Sequence, residues 1–97
     1  MNKITYEERK AVYETAICKY GSRAQIDMAF EEMAELQKEL CKHARGKDNL
    51  EEIAEEIADV TIMLEQLRLI FNVNEKVCEY MDQKILRLRE RLGEGHG

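Results

Sequence analysis

Residues 50–71 read LEEIAEEIADVTIMLEQLRLIF, and their apolar positions Ile53, Ile57, Val60, Leu64, Leu67 and Phe71 recur at spacings of three and four. That period belongs to a helix, because a strand alternates at two. Asp48 or Asn49 is placed to cap it, so a third helix is expected over about 49–71. Working back, Ala29, Met33, Leu36 and Leu40 keep the same period in a segment that Ser22 and Gln25 open as a capping box. Lys42, His43 and Arg45 bring positive charge to its carbonyl end before Gly46, giving a second helix over about 22–44. Thr5 with Glu8 is another capping box and predicts a first helix over about 5–20, ending at Gly21. Asn72 with Glu75, or Asn74, caps a fourth over about 74–92, which carries Val77, Met81, Ile85, Leu88 and Leu92 and closes at Gly93. The tail 94–97 is expected to be flexible.

Connections of two to five residues make consecutive helices antiparallel. The expected fold is therefore all-α, one domain over residues 1–97, arranged as a four-helix antiparallel bundle. Composition agrees: the 97 residues contain no Pro, five Gly and 36% charged side chains, too few turn residues for a β-rich fold. A chain of this size buries only roughly 60 to 65% of its unfolded surface, so completion of the core by dimerisation is expected, with a homotetramer as the larger alternative.

Fifteen Lys and Arg against 20 Asp and Glu leave a net charge of −5, which argues against a nucleic-acid partner held through its phosphates. No stretch reaches the roughly 18 apolar residues of a membrane span, and MNKITYEERK lacks the apolar centre of a signal peptide, so a cytoplasmic location is expected. Cys18, Cys41 and Cys78 form no CxxC pair and read as reduced, mostly packed thiols.

The chemistry-bearing pattern is acidic. Glu32 and Glu35 lie three apart on the second helix, as do Glu56 and Asp59 on the third, so each pair projects from one helix face. The first pair shares its stripe with Gln25 and Met28, and the second with Met63, Gln66 and Ile70, where a solvated face would more often carry Lys or Arg. Carboxylates facing one another across a hairpin repel, and a cation between them turns repulsion into attraction. An all-carboxylate donor set without Cys or His suits Mg²⁺, with Mn²⁺ as the alternative, better than Zn²⁺. The Glu-x-x-His of di-iron bundles is missing, because Leu40 and Gly93 stand three before His43 and His96. Acidic pairs at this spacing also arise on solvated faces, as Asp48 with Glu51, Glu52 with Glu55 and Glu79 with Asp82 do here.

Glu31-Glu32-Met33-Ala34-Glu35, followed after 20 residues by Glu56-Ile57-Ala58-Asp59, resembles the EExxE…ExxD signature of the MazG-like all-α nucleoside triphosphate pyrophosphohydrolases. The likeness covers roughly residues 20–92 and includes a basic fourth helix. It implies that Glu32, Glu35, Glu56 and Asp59 bind Mg²⁺, with Glu31 as a helper behind them. The implied reaction is Mg²⁺-dependent hydrolysis of a nucleoside triphosphate, ribo or deoxy, to its monophosphate and pyrophosphate, a house-cleaning of the nucleotide pool. Glu35 or Glu32 would orient the attacking water. Lys84, Arg87 and Arg91 form one cationic stripe on the fourth helix that suits phosphates, although a solvated face explains them too.

Gln25, on the face of the acidic motif, is a candidate to read a base edge. Tyr6, Tyr13 and Tyr20 recur every seven residues and are read as a core or dimer-contact stripe. The different-class alternative is a catalytically silent helical dimerisation or interaction module, and a third is a metal-binding bundle without hydrolysis.

Overall fold

The computed structural model describes residues 3–94, and they form four helices with no strand: α1 (Tyr6–Tyr20), α2 (Ser22–Ala44), α3 (Leu50–Ile70) and α4 (Asn74–Glu94). The all-α class and the four elements are as the sequence predicts. No described helix is long and apolar enough to cross a membrane.

The helix ends show why the chain divides where it does. At α1 the expected capping box forms, with Thr5 N–H donating to Glu8 Oε1 at 3.0 Å and Glu8 N–H donating to Thr5 Oγ1 at 3.1 Å. At the end of α2, Gly46 N–H donates to His43 O at 2.9 Å and Lys47 N–H to Lys42 O at 3.1 Å, with Gly46 at φ 93. This is a Schellman turn, and its left-handed position favours a residue without Cβ. Asn72, at φ 52, fills the same position after α3, where Val73 N–H donates to Arg68 O at 3.0 Å. Asn is the side chain that best tolerates that conformation after Gly.

Four local expectations are corrected. Ser22 and Gln25 form no capping box: Ser22 is already helical, Gly21 is the N-cap without a side-chain bond, and the Gln25 side chain turns into the α2–α3 interface. Asn49 does occupy the N-cap of α3, yet its amide reaches across to α2 and caps nothing. Asn72 closes α3 and does not open α4, and α4 runs through Gly93 to Glu94 because one helical Gly costs only about 1 kcal/mol. The expected flexible tail otherwise falls on residues 95–97, outside the described range.

Helices α2 and α3 form the principal packing pair, an antiparallel hairpin. Its register is set by Gln25 against Gln66 at the open end and Glu39 against Asn49 beside the turn. Ala29, 2% exposed, lets the two backbones approach. Helix α1 rests on both through Tyr13, buried with its hydroxyl donating to Glu65. Helix α4 approaches α3 alone, near the α3–α4 turn. Arg68 there donates to Asn74 Oδ1 at 3.2 Å and reaches Cys78 Sγ at 3.8 Å and Met81 Sδ at 3.5 Å.

Much of the apolar stripe expected to form the core is therefore not buried. Leu40, Ile57, Leu64 and Phe71 are 45 to 58% exposed, while Tyr13, Ala29 and Met63 are the buried apolar side chains. The polar stripe edging it took the centre, where Gln25 pairs with Gln66 and the Asn49 amide nitrogen with Glu39 across the hairpin, leaving Asn49 Oδ1 buried without a partner. Tyr6 and Tyr20 are also exposed, so the heptad of tyrosines is not a core stripe along its whole length. The three cysteines are free and exposed, and not packed. The radius of gyration, 16.8 Å, exceeds the about 12 to 13 Å of a compact domain this long, because α4 extends from the hairpin.

Candidate metal centre

The hairpin places three acids of the motif together. Carboxylate oxygens of Glu32 on α2 and of Glu56 and Asp59 on α3 all lie within 4.8 Å of one another. The helical repeat brings Glu56 and Asp59 to one face, and antiparallel pairing sets Glu32 opposite them. All three side chains are half-buried. Among the described residues, no Lys or Arg pairs with any of them.

The electrostatics follow from that crowding. Loss of water holds the Glu32 carboxyl above its ordinary value, and the neighbouring Asp59 and Glu56 charges push the same way. Glu56 is also held up by desolvation first, then by Asp59 and Glu35. Its Oε2 is shielded from solvent with no hydrogen-bond partner. A buried anionic oxygen without a donor is costly, and a hard divalent cation is the kind of group that satisfies several such oxygens at once. The residues present thus fit an oxygen-ligated Mg²⁺ or Mn²⁺: the donors are all carboxylate, and one is otherwise orphaned.

The remaining motif residues stand around this centre. Glu35 is exposed and outside the three-acid set, but close enough for its charge to act on both Glu32 and Glu56. Glu31 is exposed on the outer side of α2. Gln25 is 8% exposed and donates from Nε2 to Gln66 Oε1 at 2.8 Å, so its amide is engaged within the hairpin. Lys84, Arg87 and Arg91 are exposed on α4, which meets only α3, and no hydrogen bond or ion pair joins them to the acids among the described residues. The structure gathers three of the four expected ligands, keeps the fourth beside them, and does not bring the cationic stripe to them.

Sequence reasoning passed over a polar latch between the cluster and the hairpin turn. Asn49, 2% exposed, donates from Nδ2 to Glu39 Oε1 at 2.8 Å and to Glu39 O at 2.9 Å. Those bonds hold the Glu39 carboxyl below its ordinary value, helped by Lys42, whose Nζ is 3.3 Å from Oε2. The available signal was Glu39, seven residues beyond Glu32 and thus on the same face.

Comparison with protein-family profiles, curated proteins and solved structures finds no match to this chain.

Proposed function

We propose that this chain is a Mg²⁺-dependent nucleoside triphosphate pyrophosphohydrolase of the MazG-like kind, releasing pyrophosphate and a nucleoside monophosphate. The observation carrying this reading is the three-carboxylate centre, with its shielded, unpartnered Glu56 Oε2, in the spacing of the EExxE…ExxD signature. Glu32, Glu56 and Asp59 would hold the cation, with Glu35 completing the set or serving the water.

When bound, Mg²⁺ supplies charge neutralisation that lets a polyanionic triphosphate approach an acidic hairpin and offsets charge developing at its oxygens. The chain's own residues do the rest. Glu35, exposed beside the three acids, would accept a proton from an attacking water at its carboxylate, and Glu31 lies one turn before it. Half-burial of the three acids limits competing water and strengthens their hold on a cation. Self-association into a dimer, or a tetramer, would enclose the base. In this reading Lys84, Arg87 and Arg91 would meet phosphates from a neighbouring copy.

The second reading, a silent helical dimerisation module, is favoured by one observation: α4 leaves Met81, Ile85, Leu88 and Leu92 exposed. Pyrophosphate release from a panel of NTPs and dNTPs with Mg²⁺, comparing wild type with Glu56→Gln, separates the two. Release by wild type alone supports the enzyme. Silence from a folded, Mg²⁺-binding wild type supports the module.

A further inference from the structure

The chain carries a net charge of −5, yet one cleft in it has the opposite balance. Between the N-terminal half of α1 and the α3–α4 turn lies a cavity of about 520 Å³, lined by Tyr6 and Lys10 of α1, Arg68 of α3, and Asn74, Glu75 and Lys76 of α4 among others. A smaller chamber of about 110 Å³ shares Tyr6, Lys10, Arg68 and Asn74 with it and adds Tyr13 and Glu65. Three cations thus line the outer chamber against one acid, Glu75. The acid of the inner chamber, Glu65, is already engaged: it accepts from the Tyr13 hydroxyl and stands 3.7 Å from Arg9 Nη1.

Arg68 is the fixed point of this lining. Its Nη1 donates to Asn74 Oδ1 at 3.2 Å, and its remaining partners among the described residues are sulfur atoms, Cys78 Sγ at 3.8 Å and Met81 Sδ at 3.5 Å. Sulfur is a weak acceptor, so the guanidinium keeps donors to spare. The side chain is half-buried, and no carboxylate pairs with it among the described residues. A partly desolvated cation with neutral partners alone is costly, and an anion beside it removes that cost. Lys10 and Lys76 also have no ion pair among the described residues. Three like charges drawn from three helices into one cleft repel one another unless a counter-charge lies between them.

The chemistry of the lining selects the anion. A carboxylate brings a single charge and fits the guanidinium fork by itself, leaving the two ammonium groups uncompensated. A phosphate group carries about −1.5 to −2 charge near neutral pH, and its several oxygens can meet a fork and two ammonium groups from different sides. The cavity falls within the roughly 300 to 1,000 Å³ of small-molecule sites, so its occupant is a small molecule and not a folded partner. Tyr6, one turn before Lys10 on the same face of α1, adds an aromatic wall.

We propose that this cleft is an anion site separate from the metal centre, in which Lys10, Arg68 and Lys76 hold the phosphate group of a small molecule. Arg68 lies nine residues past Asp59, about 13 Å along the axis of α3. The acid centre repels a phosphate unless a divalent cation is present, whereas the cleft attracts one without it. A phosphate bound there bridges α1, α3 and α4, of which α4 otherwise meets α3 alone. The site needs no metal, so a silent pyrophosphate-release assay leaves it standing, and its own failure leaves the metal centre untouched.

The test uses the full chain in EDTA, with ionic strength held constant by chloride. Inorganic phosphate, pyrophosphate, a nucleoside monophosphate and acetate are titrated separately and followed through the backbone amide signals in NMR spectra. Saturable shifts at Lys10, Arg68 and Asn74–Lys76 with the phosphates, and none with acetate, are the expected result. Shifts that do not saturate, that acetate reproduces, or that centre on other residues overturn the site. Lys10→Met and Lys76→Met change exposed side chains, keep the helices, and are each expected to weaken phosphate binding about tenfold. Binding unchanged in both overturns the assignment, and they carry the decision because Arg68→Met also releases α4. A nucleoside monophosphate that binds more tightly than phosphate, with the difference lost in Tyr6→Ala, makes a nucleotide the source of the group. Equal affinities make the source free phosphate or pyrophosphate.

Discussion

Gln25 on α2 donates from Nε2 to Gln66 Oε1 on α3 at 2.8 Å, with 8% and 5% of the two residues exposed. Gln66 in turn donates to Met63 Sδ at 3.7 Å, so the amides are satisfied within the hairpin. Removing one partner strands the other, which costs about 1 to 3 kcal/mol, whereas removing both restores most of it. Gln66→Met is therefore expected to lower the urea midpoint, and Gln25→Met with Gln66→Met to recover much of the loss. A double-mutant cycle reads the coupling, and strict additivity would show that the bond contributes nothing.

The three-acid centre makes stability depend on pH in a direction opposite to most surface carboxylates. Glu32 and Glu56 are held above their ordinary values, so the folded chain keeps protons that the unfolded chain has released. The stability this contributes is fully present below the ordinary carboxyl value of 4.5 and is lost as pH rises through the raised values. In EDTA, the melting temperature should rise as pH falls toward 4.5, and Glu32→Gln should flatten that slope. Glu39 and Glu8, held low, lose their contribution only on acidification below 4.5, outside this window. Mg²⁺ at ten times its Kd should add about 1.4 kcal/mol at pH 7, roughly 6 to 11 °C for a domain this size, and Glu56→Gln should abolish the gain. A melting curve indifferent to both Mg²⁺ and EDTA counts against the centre.

Tyr13 anchors α1 to the hairpin, and its phenol is pushed up to about 12 by burial first and then by its hydrogen bond to Glu65. One tyrosine should resist ionisation in an ultraviolet titration until pH reaches about 12. Tyr13→Phe is expected to remove that late step and cost about 1 kcal/mol or somewhat more, since it leaves Glu65 with Arg9 at 3.7 Å. Tyr13→Ala also loses the ring and is expected to cost about 3 kcal/mol, releasing α1. A spectrum without that late step in the wild type would mean that α1 does not dock as described.

The helix ends were largely legible because backbone chemistry dictates them: Thr5 with Glu8 and Gly46 act through bonds that sequence spacing specifies. The pairing of Glu32 with Glu56 and Asp59 was legible too, since a short turn makes α2 and α3 antiparallel and their acids share one face. The centre of the hairpin was not. A hydropathy stripe places Ile57 and Leu64 inwards, but it carries no information on whether Gln25 can pair with Gln66 and Asn49 with Glu39 across the hairpin. The departure of α4 was equally hidden, because it depends on the left-handed turn at Asn72 and on the reach of Arg68. Cap propensity alone assigned Asn72 to the following helix.

Asn49 tests whether the latch governs the metal centre beyond holding the hairpin together. Its two bonds to Glu39 fasten the hairpin near the turn, and Glu39 is among the charges acting on Glu56. Asn49→Ala removes the donors and leaves the Glu39 carboxylate and backbone carbonyl short of partners, a loss of about 1 to 3 kcal/mol by urea unfolding. Asn49→Asp additionally sets an acid against Glu39 and should be worse at pH 7 and partly relieved toward pH 4, where one of the two accepts a proton. If the latch also sets the register of the acids, both variants weaken Mg²⁺ binding in calorimetry although residue 49 offers the ion no ligand. Glu39→Gln, which keeps an oxygen to accept from Asn49, then retains more of that affinity. A fall in stability with unchanged Mg²⁺ affinity would confine Asn49 to the turn.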